Sequence, residues 1–433
     1  MSDALRADAL VVGGGIAGLQ SALDLADQGY SVIVVERQPS IGGAMIGLSK
    51  VFPTLDCASC ITTPKMAAAL HHPNIRLLTY TEVLSVDHAG AGWSARVRIK
   101  PKYVIEDRCI GCRRCEYVCR VDVSDAFDGG FVAHRAIAIP FSNAIPQVPV
   151  LYPEHCILCG DCAIECPTDA IDFEQTPQEL AIEARTVVVA TGFSLTPLGQ
   201  KRQYQGDRLT NVISPLQMER LIAPHGPYGR VLRPSDGKVP DSIAYVQCAG
   251  SRDATLGVPG CSRVCCMYAI KQAMLLSGAV PLADITIYYM DIRAFGKGYE
   301  TFYRRAQAMG IRFIKAKVAR IEPADQDDLI LRVENQDEHG RVEERRHDLV
   351  VLSLGMRPGD DPGAWIPIGK PADDGFVRVP DPHLEPCTTV TPGVFVAGTA
   401  CGPKDIVDAI AEAGAAAMRA SAWLHSSDDG SRP

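Results

Sequence analysis

Sixteen cysteines stand in this 433-residue chain, and eight of them fall in two copies of one spacing. Cys109, Cys112, Cys115 and Cys119 read C-x2-C-x2-C-x3-C, and Cys156, Cys159, Cys162 and Cys166 repeat it with Pro167 following. Bacterial ferredoxins hold two [4Fe–4S] clusters with this spacing. Three close thiolates wrap one cube and the fourth crosses to the other. The expected sets are therefore Cys109, Cys112 and Cys115 with Cys166, and Cys156, Cys159 and Cys162 with Cys119. Zinc is the competing occupant of a soft four-thiolate site, but two complete runs in one short segment favour clusters. Arg120 replaces the proline that commonly ends such a run. All ligands remain, so a local change in backbone or potential is expected there.

The formal net charge of −8 argues against nucleic acid, which would want a basic face. No run of apolar residues is long enough for a membrane span. The N-terminus enters a Gly-rich strand-turn without a leader pattern, so a cytoplasmic location is expected, where thiols stay reduced and free to bind metal.

That strand-turn reads "ALVVGGGIAGLQSALDLADQGYSVIVVE". An apolar strand meets Gly13, Gly15 and Gly18 in a G-x-G-x-x-G turn, a helix follows, and a second strand ends in Glu36. The glycines let backbone approach a pyrophosphate at the helix N-terminus, and the acid would accept from a ribose hydroxyl. The fingerprint alone does not choose between FAD and NAD. The Thr191–Gly192 turn and the late "GVFVAGTA" strand-loop before an Ala-rich helix are similar to the FAD domain of two-dinucleotide-binding flavoproteins. Gly43, Gly398, Thr399, Lys404, Asp405 and Ile406 join the candidate FAD contacts. Lys404 and Asp405 read equally as a charged, capped helix start.

A second nucleotide domain would place its own glycine turn after "SIAYVQC". The chain instead runs into Cys248, Cys261, Cys265 and Cys266, spaced C-x12-C-x3-C-C. Ordinary NAD(P)H binding is expected to be lost there. The expected order is a FAD-binding part at 1–102, an inserted two-cluster ferredoxin domain at 103–178 and FAD-domain linker and strand at 179–225. A degenerate NAD-type domain with the four cysteines follows at 226–365, and a return to the FAD domain at 366–433. The tail from His425 is expected to fray.

The segments "LDCASCITTPKM", "CIGCRRCEYVC", the set ending in Cys265–Cys266, "DIRAFGKGYETFY" and "AGTACGPKDIVDAI" together resemble HdrA, the flavin-carrying subunit of heterodisulfide reductase, and its bacterial relatives. The resemblance spans residues 9 to about 415. It implies an α/β fold: a thioredoxin-reductase-like two-dinucleotide-binding flavoprotein core with an inserted two-cluster bacterial ferredoxin domain. It implies FAD and three [4Fe–4S] clusters, the third on Cys248, Cys261, Cys265 and Cys266. It also implies that Lys271 approaches the flavin, against the plainer reading of a helix-surface lysine. Adjacent cysteines point apart, so both serve one cube only if the helix start is distorted. The outer segments of the long archaeal form are expected to be missing, which weakens flavin-based bifurcation relative to a simple relay.

The implied partners are HdrB/HdrC-like subunits and a hydrogenase, formate dehydrogenase or ferredoxin, around a homodimer of the flavin subunit. The alternatives are a free-standing NAD(P)H-dependent ferredoxin or disulfide oxidoreductase, and a scaffold with structural clusters. Cys57 and Cys60 form a C-x-x-C open to three readings: packing thiols, a redox pair, or partial ligation at a partner interface. Cys387 and Cys401 read as unpaired, and no histidine-acid-nucleophile set appears.

Overall fold

The computed structural model describes residues 4–336 and 339–428. Two seven-stranded sheets organise it. In the first, strands Ile75–Leu78, Val32–Val35, Leu5–Val12 and Gln178–Val189 lie side by side in parallel, and Val394–Val396 also pairs with Gln178–Val189. Their apolar runs are buried on both faces, as a parallel sheet covered by helices requires. Helices Ile16–Ala26 and Ile406–Asp428 pack against each other through alanines at 17, 22, 413, 416, 417 and 420. These small side chains bring the backbones close enough for Ser21 Oγ to donate to Ala413 O at 3.0 Å.

Strands Gly92–Ile99 and Thr81–Ala89 extend this sheet antiparallel. Ile99 stands opposite Gln178, which closes the neck of the cysteine-rich insertion. The insertion has a small core of Val104, Ile137, Val148, Leu151 and Ala170, completed by its own cysteines. It docks on the rest of the chain through named contacts. Arg220 donates to Asp128 at 2.8 Å and lies over the Phe127 ring. Gln217 Nε2 donates to Gly129 O and Tyr228 Oη to Phe131 O.

The second sheet runs Val212–Ile213, Leu349–Leu352, Ser242–Val246, Asp284–Tyr289, Arg312–Pro323, Leu329–Asn335, Arg341–His347. Two expectations change here. Strand Val212–Ile213 and the helix Pro215–Ile222 fall in the segment expected to be FAD-domain linker. The strand instead pairs with Leu349–Leu352 and the helix packs on Cys265–Ala279, because their apolar residues Ile213, Met218 and Leu221 complete the second core. The last helix continues through His425 to Asp428 rather than fraying there. Residues 429–433 lie outside the described residues. Among the described residues, no helix is long and apolar enough to cross a membrane.

Candidate flavin and cluster sites

The glycine turn is built by close approach. Gly13 sits at φ +114°, and a Cβ there would stand 2.2 Å from Ala190 O. A Cβ on Gly18 would stand 1.9 Å from Gly13 O. Only glycine fits either place. Gly43, at φ +56°, packs against Gly15, where a Cβ would lie 2.7 Å from the Gly15 Cα. Glu36 is buried at the end of its strand. Its carboxylate accepts from Gly14 N at 2.6 Å and Gln38 N at 2.8 Å, and burial raises its pKa. Each oxygen keeps a lone pair for a ribose hydroxyl, although the structure first uses Glu36 to hold the loop.

Beside this turn lies a mostly apolar cavity. Gly15, Gly192, Thr399, Lys404, Asp405 and Ile406 line it, all anticipated contacts. Gly13, Gly18, Glu36, Gly43, Thr191 and Gly398 are not among its lining residues. Gly398 packs so closely on Ala17 that a Cβ would approach its Cβ to 2.6 Å. Asp405 caps the last helix, accepting from Asp408 N at 2.9 Å. The Lys404 ammonium pairs with Glu412 and donates to Cys401 Sγ at 3.1 Å. The cradle of glycines, the helix start and the apolar cavity fit a dinucleotide with a flat ring system.

Lys271 is not a helix-surface residue. It is 2% exposed, lines this cavity and forms an ion pair with Glu219. Burial lowers its pKa, and Glu219 opposes that shift. Glu219 also accepts from Gln272 Nε2 at 2.5 Å and Ser49 N at 3.0 Å. Sequence reasoning missed Glu219, Gln272, Lys50 and Tyr268, which share the cavity wall. Only Glu219 left a signal, as an acid on the otherwise apolar face of helix Pro215–Ile222.

The insertion holds two cages. Cys109, Cys112, Cys115 and Cys166 line one small cavity. Cys119, Cys156, Cys159 and Cys162 line another. The fourth cysteine of each run thus crosses to the other's cage. Burial pushes Cys115 up to about 12 and Cys162 up to about 11, so these sulfurs stay protonated unless a metal claims them. Among the described residues, no three His, Cys, Asp or Glu side chains close on a single metal ion. Arg120 points out of the run and pairs with Asp161 at 3.1 Å.

Cys248, Cys261, Cys265 and Cys266 come within electrostatic reach of one another. Cys248 takes φ +56° just after strand Ser242–Val246, and Arg252 hydrogen-bonds its sulfur. Burial lifts Cys265 to about 12 and Cys266 to about 11. The expected distortion of the helix start lies upstream of it. The helix begins regularly at Cys265, with Tyr268 N bonded to Val264 O at 2.9 Å. Arg263 at φ +60° and a tight Val264 N to Ser262 O contact of 2.6 Å make the sharp bend.

Cys57 and Cys60 do not line the flavin cavity. Cys57 is the N-cap of helix Ala58–His71, and its sulfur accepts from Cys60 N at 3.3 Å. The hydrogen bond from Cys60 lowers the Cys57 pKa, while Cys60 is raised by the same contact. Lys50, on the cavity wall, bridges to Cys57 through the backbone. Cys387 and Cys401 are free thiols.

Fold and motifs define an FAD-dependent oxidoreductase core carrying a dicluster ferredoxin domain. The FAD dependent oxidoreductase family matches residues 8–56, and the 4Fe-4S dicluster domain family matches residues 103–171. Across nearly its whole length the chain is similar to HdrA proteins of heterodisulfide reductases. It is 45% identical over 418 residues to the HdrA protein of the H(2):CoB-CoM heterodisulfide,ferredoxin reductase of Methanothermobacter thermautotrophicus, covering 95% of this chain and 63% of that protein. It is 46% identical over 422 residues to the second HdrA protein of the CoB–CoM heterodisulfide reductase of Methanopyrus kandleri, covering 96% and 64%. The chain thus spans less than two thirds of these relatives. Among solved structures, thioredoxin reductase of T. acidophilum is similar in fold, with a TM-score of 0.54 and 14% identity over 98% of this chain and 99% of that one.

Proposed function

We propose that the chain is an FAD- and [4Fe–4S]-dependent electron-transfer component of a heterodisulfide-reductase-like complex, passing electrons between its flavin and iron–sulfur partners. One observation carries this reading: helix Cys265–Ala279 opens with two cysteines of the third set and puts Tyr268, Lys271 and Gln272 on the flavin cavity wall. A cluster site and a flavin site therefore share one rigid element. When bound, FAD exchanges one or two electrons and each cluster exchanges one.

The chain's own residues set the terms of that exchange. Gly13, Gly15, Gly18, Glu36, Gly43, Thr191, Gly192, Gly398, Thr399, Lys404, Asp405 and Ile406 are the proposed FAD contacts and supports. Lys271, held by Glu219, supplies a buried cation that favours negative charge on a reduced ring. The twelve cysteines of the three sets are the proposed cluster ligands. Cys57 and Cys60 have the geometry of a redox pair, with the lowered thiol at a helix N-terminus. The relatives' names point to hydrogen, formate or ferredoxin as sources or sinks of electrons. The corresponding partners proposed for this chain are HdrB/HdrC-like subunits and a hydrogenase, formate dehydrogenase or ferredoxin, assembled around a homodimer. We propose no NAD(P)H site, because the crossing after strand Ser242–Val246 carries the four cysteines and no G-x-G-x-x-G.

The test is iron, sulfide and flavin content with EPR of the reduced protein, followed by mixing with NADH. We expect about twelve irons and one FAD per chain, with no rapid bleaching by NADH. Fast bleaching would return the chain to the NAD(P)H-dependent reading. About eight irons would remove the third cluster.

A further inference from the structure

Gln247 is a buried amide that the chain leaves unpaired. It is 6% exposed, and among the described residues neither its Oε1 nor its Nε2 has a hydrogen-bond partner. It follows directly on strand Ser242–Val246, and the ladder runs on through it. Gln247 N donates to Tyr288 O at 3.0 Å, and on the other side Ser353 N donates to Val246 O at 2.9 Å. Side chains alternate between the two faces of a strand. Ile243 and Tyr245 pack with Met267 and Ile270 of helix Cys265–Ala279, whereas Ala244 and Val246 join the opposite core. Gln247 therefore falls on the helix face. The two neighbouring strands lead to the double cysteine. Cys265 Sγ lies 3.5 Å from Leu354 O, just past strand Leu349–Leu352, and Cys266 Sγ lies 3.8 Å from Asp291 O, just past strand Asp284–Tyr289. The unpaired amide thus stands at the end of the middle strand of the three, immediately before Cys248.

We propose that the Gln247 side chain is a hydrogen-bond donor to the third cluster, its Nε2 giving a proton to sulfur there. The inference rests on the third cluster proposed above. A primary amide carries two N–H groups and one carbonyl oxygen. Ser353, in register on the neighbouring strand, is also buried with no hydrogen-bond partner for its hydroxyl. A hydroxyl there can serve the carbonyl Oε1 and leaves the N–H groups without an acceptor. Burying such donors unmatched costs stability, so an acceptor from outside the chain is expected. A cluster supplies one. Its sulfides, and the thiolates that hold it, are acceptors carrying negative charge, and N–H groups bond such acceptors more strongly than neutral ones. A lone water is the competing acceptor, and the test separates the two.

Hydrogen bonds to cluster sulfurs help set reduction potential, because they stabilise the extra negative charge of the reduced state. Gln247 therefore holds the third cluster at a higher potential than its buried site would otherwise give. An amide does not titrate, so this contribution is the same at every working pH.

The experiment uses full-length protein with its cofactors, comparing wild type with Gln247→Met. The readout is a redox titration followed by EPR, with iron and FAD content measured on each sample. Methionine keeps the length of the side chain and removes its donors. At a fixed poise it should shift the third cluster's reduced-to-oxidised ratio about tenfold toward oxidised, and leave the ratios of the two insertion clusters where they were. A second measurement needs no variant. In wild type grown with glutamine whose side-chain amide carries heavy nitrogen, pulsed EPR of the reduced third cluster should show a weak coupling to that nitrogen. An unchanged ratio in a cluster-replete Gln247→Met would overturn the proposal and leave a water as the amide's partner. Absence of the coupling in labelled wild type would overturn it too. Should Gln247→Met lose about four irons, the labelled wild type decides alone. A wild-type protein with about eight irons would instead fail the cluster assignment itself, before any variant is read.

Discussion

Strand Leu5–Val12 reaches helix Ile16–Ala26 through residues 13–15, whereas strand Ser242–Val246 reaches helix Cys265–Ala279 through residues 247–264. Both strands lie inside parallel arrays, and both helices start against the flavin cavity. The first crossing uses glycines, because the chain must pass within contact distance of its own carbonyls and of a pyrophosphate. The second uses a longer loop with Cys248 and Cys261, and the proposed third cluster would need that room for four sulfurs. On the proposed function, the same topological position would serve a phosphate in one sheet and thiolates in the other. Residues at such a turn are free to change chemistry because the sheet and helix, not the turn, carry most of the core.

The comparison breaks most sharply if each crossing can be disabled alone. Gly18→Val puts a side chain where a Cβ already stands 1.9 Å from Gly13 O. We expect FAD content near zero and stability lower by about 3 kcal/mol, with iron retained. Flavin absorbance beside iron content checks this, and a variant that keeps its FAD would remove the glycine argument. Cys265→Ser should do the reverse. It should drop about four irons and leave the flavin in place. Loss of FAD together with iron would mean the two crossings are not independent.

Removing the cation's partner sharpens the shared wall. Glu219→Gln leaves Lys271 buried beside a neutral amide. Breaking a buried pair costs about 3 kcal/mol, and chemical denaturation should register a loss of that size. The flavin's reduction should also weaken, since the lysine would tend to lose its proton.

The second sheet predicts a pH dependence. His347 is buried between Ser242 Oγ at 2.8 Å and Tyr288 Oη at 2.9 Å. Burial lowers its pKa to about 4. The folded state therefore prefers the neutral ring. Its contribution is fully present above the ordinary histidine range near 6.5 and is lost as pH falls toward about 4, a total of about 3 kcal/mol. Denaturation midpoints measured across that window should fall with pH, and His347→Gln should flatten the slope. The smallest effect concerns Cys57. Its alkylation by iodoacetamide should begin at lower pH than that of Cys60, because the Cys60 contact lowers one thiol and raises the other. Equal pH profiles would leave the pair as packing thiols.

The insertion cages were the most legible part of the chain, because their ligands lie within a few residues of each other and spacing alone predicts the crossing. The glycine turn was nearly as plain. Glu219 was not, since its importance depends on Lys271 meeting it from 52 residues away along the chain. Tyr268 was hidden for a related reason. A tyrosine in an apolar helix reads as core until the position of Leu354 O is known. The boundary near residue 212 was misplaced because a two-residue strand carries almost no periodicity.

Local covalent order settled what depends on near neighbours: the dinucleotide turn at Gly13–Gly18, the two four-cysteine runs and the C-x12-C-x3-C-C set. Tertiary structure decided what depends on distant segments meeting. It turned Lys271 inward to Glu219, kept Cys57 and Cys60 off the cavity wall, and put Tyr268 on that wall with its hydroxyl donating to Leu354 O. Spacing along a chain encodes chemistry only while the chain itself holds the groups together. Beyond a few turns, burial and sheet order choose the partners.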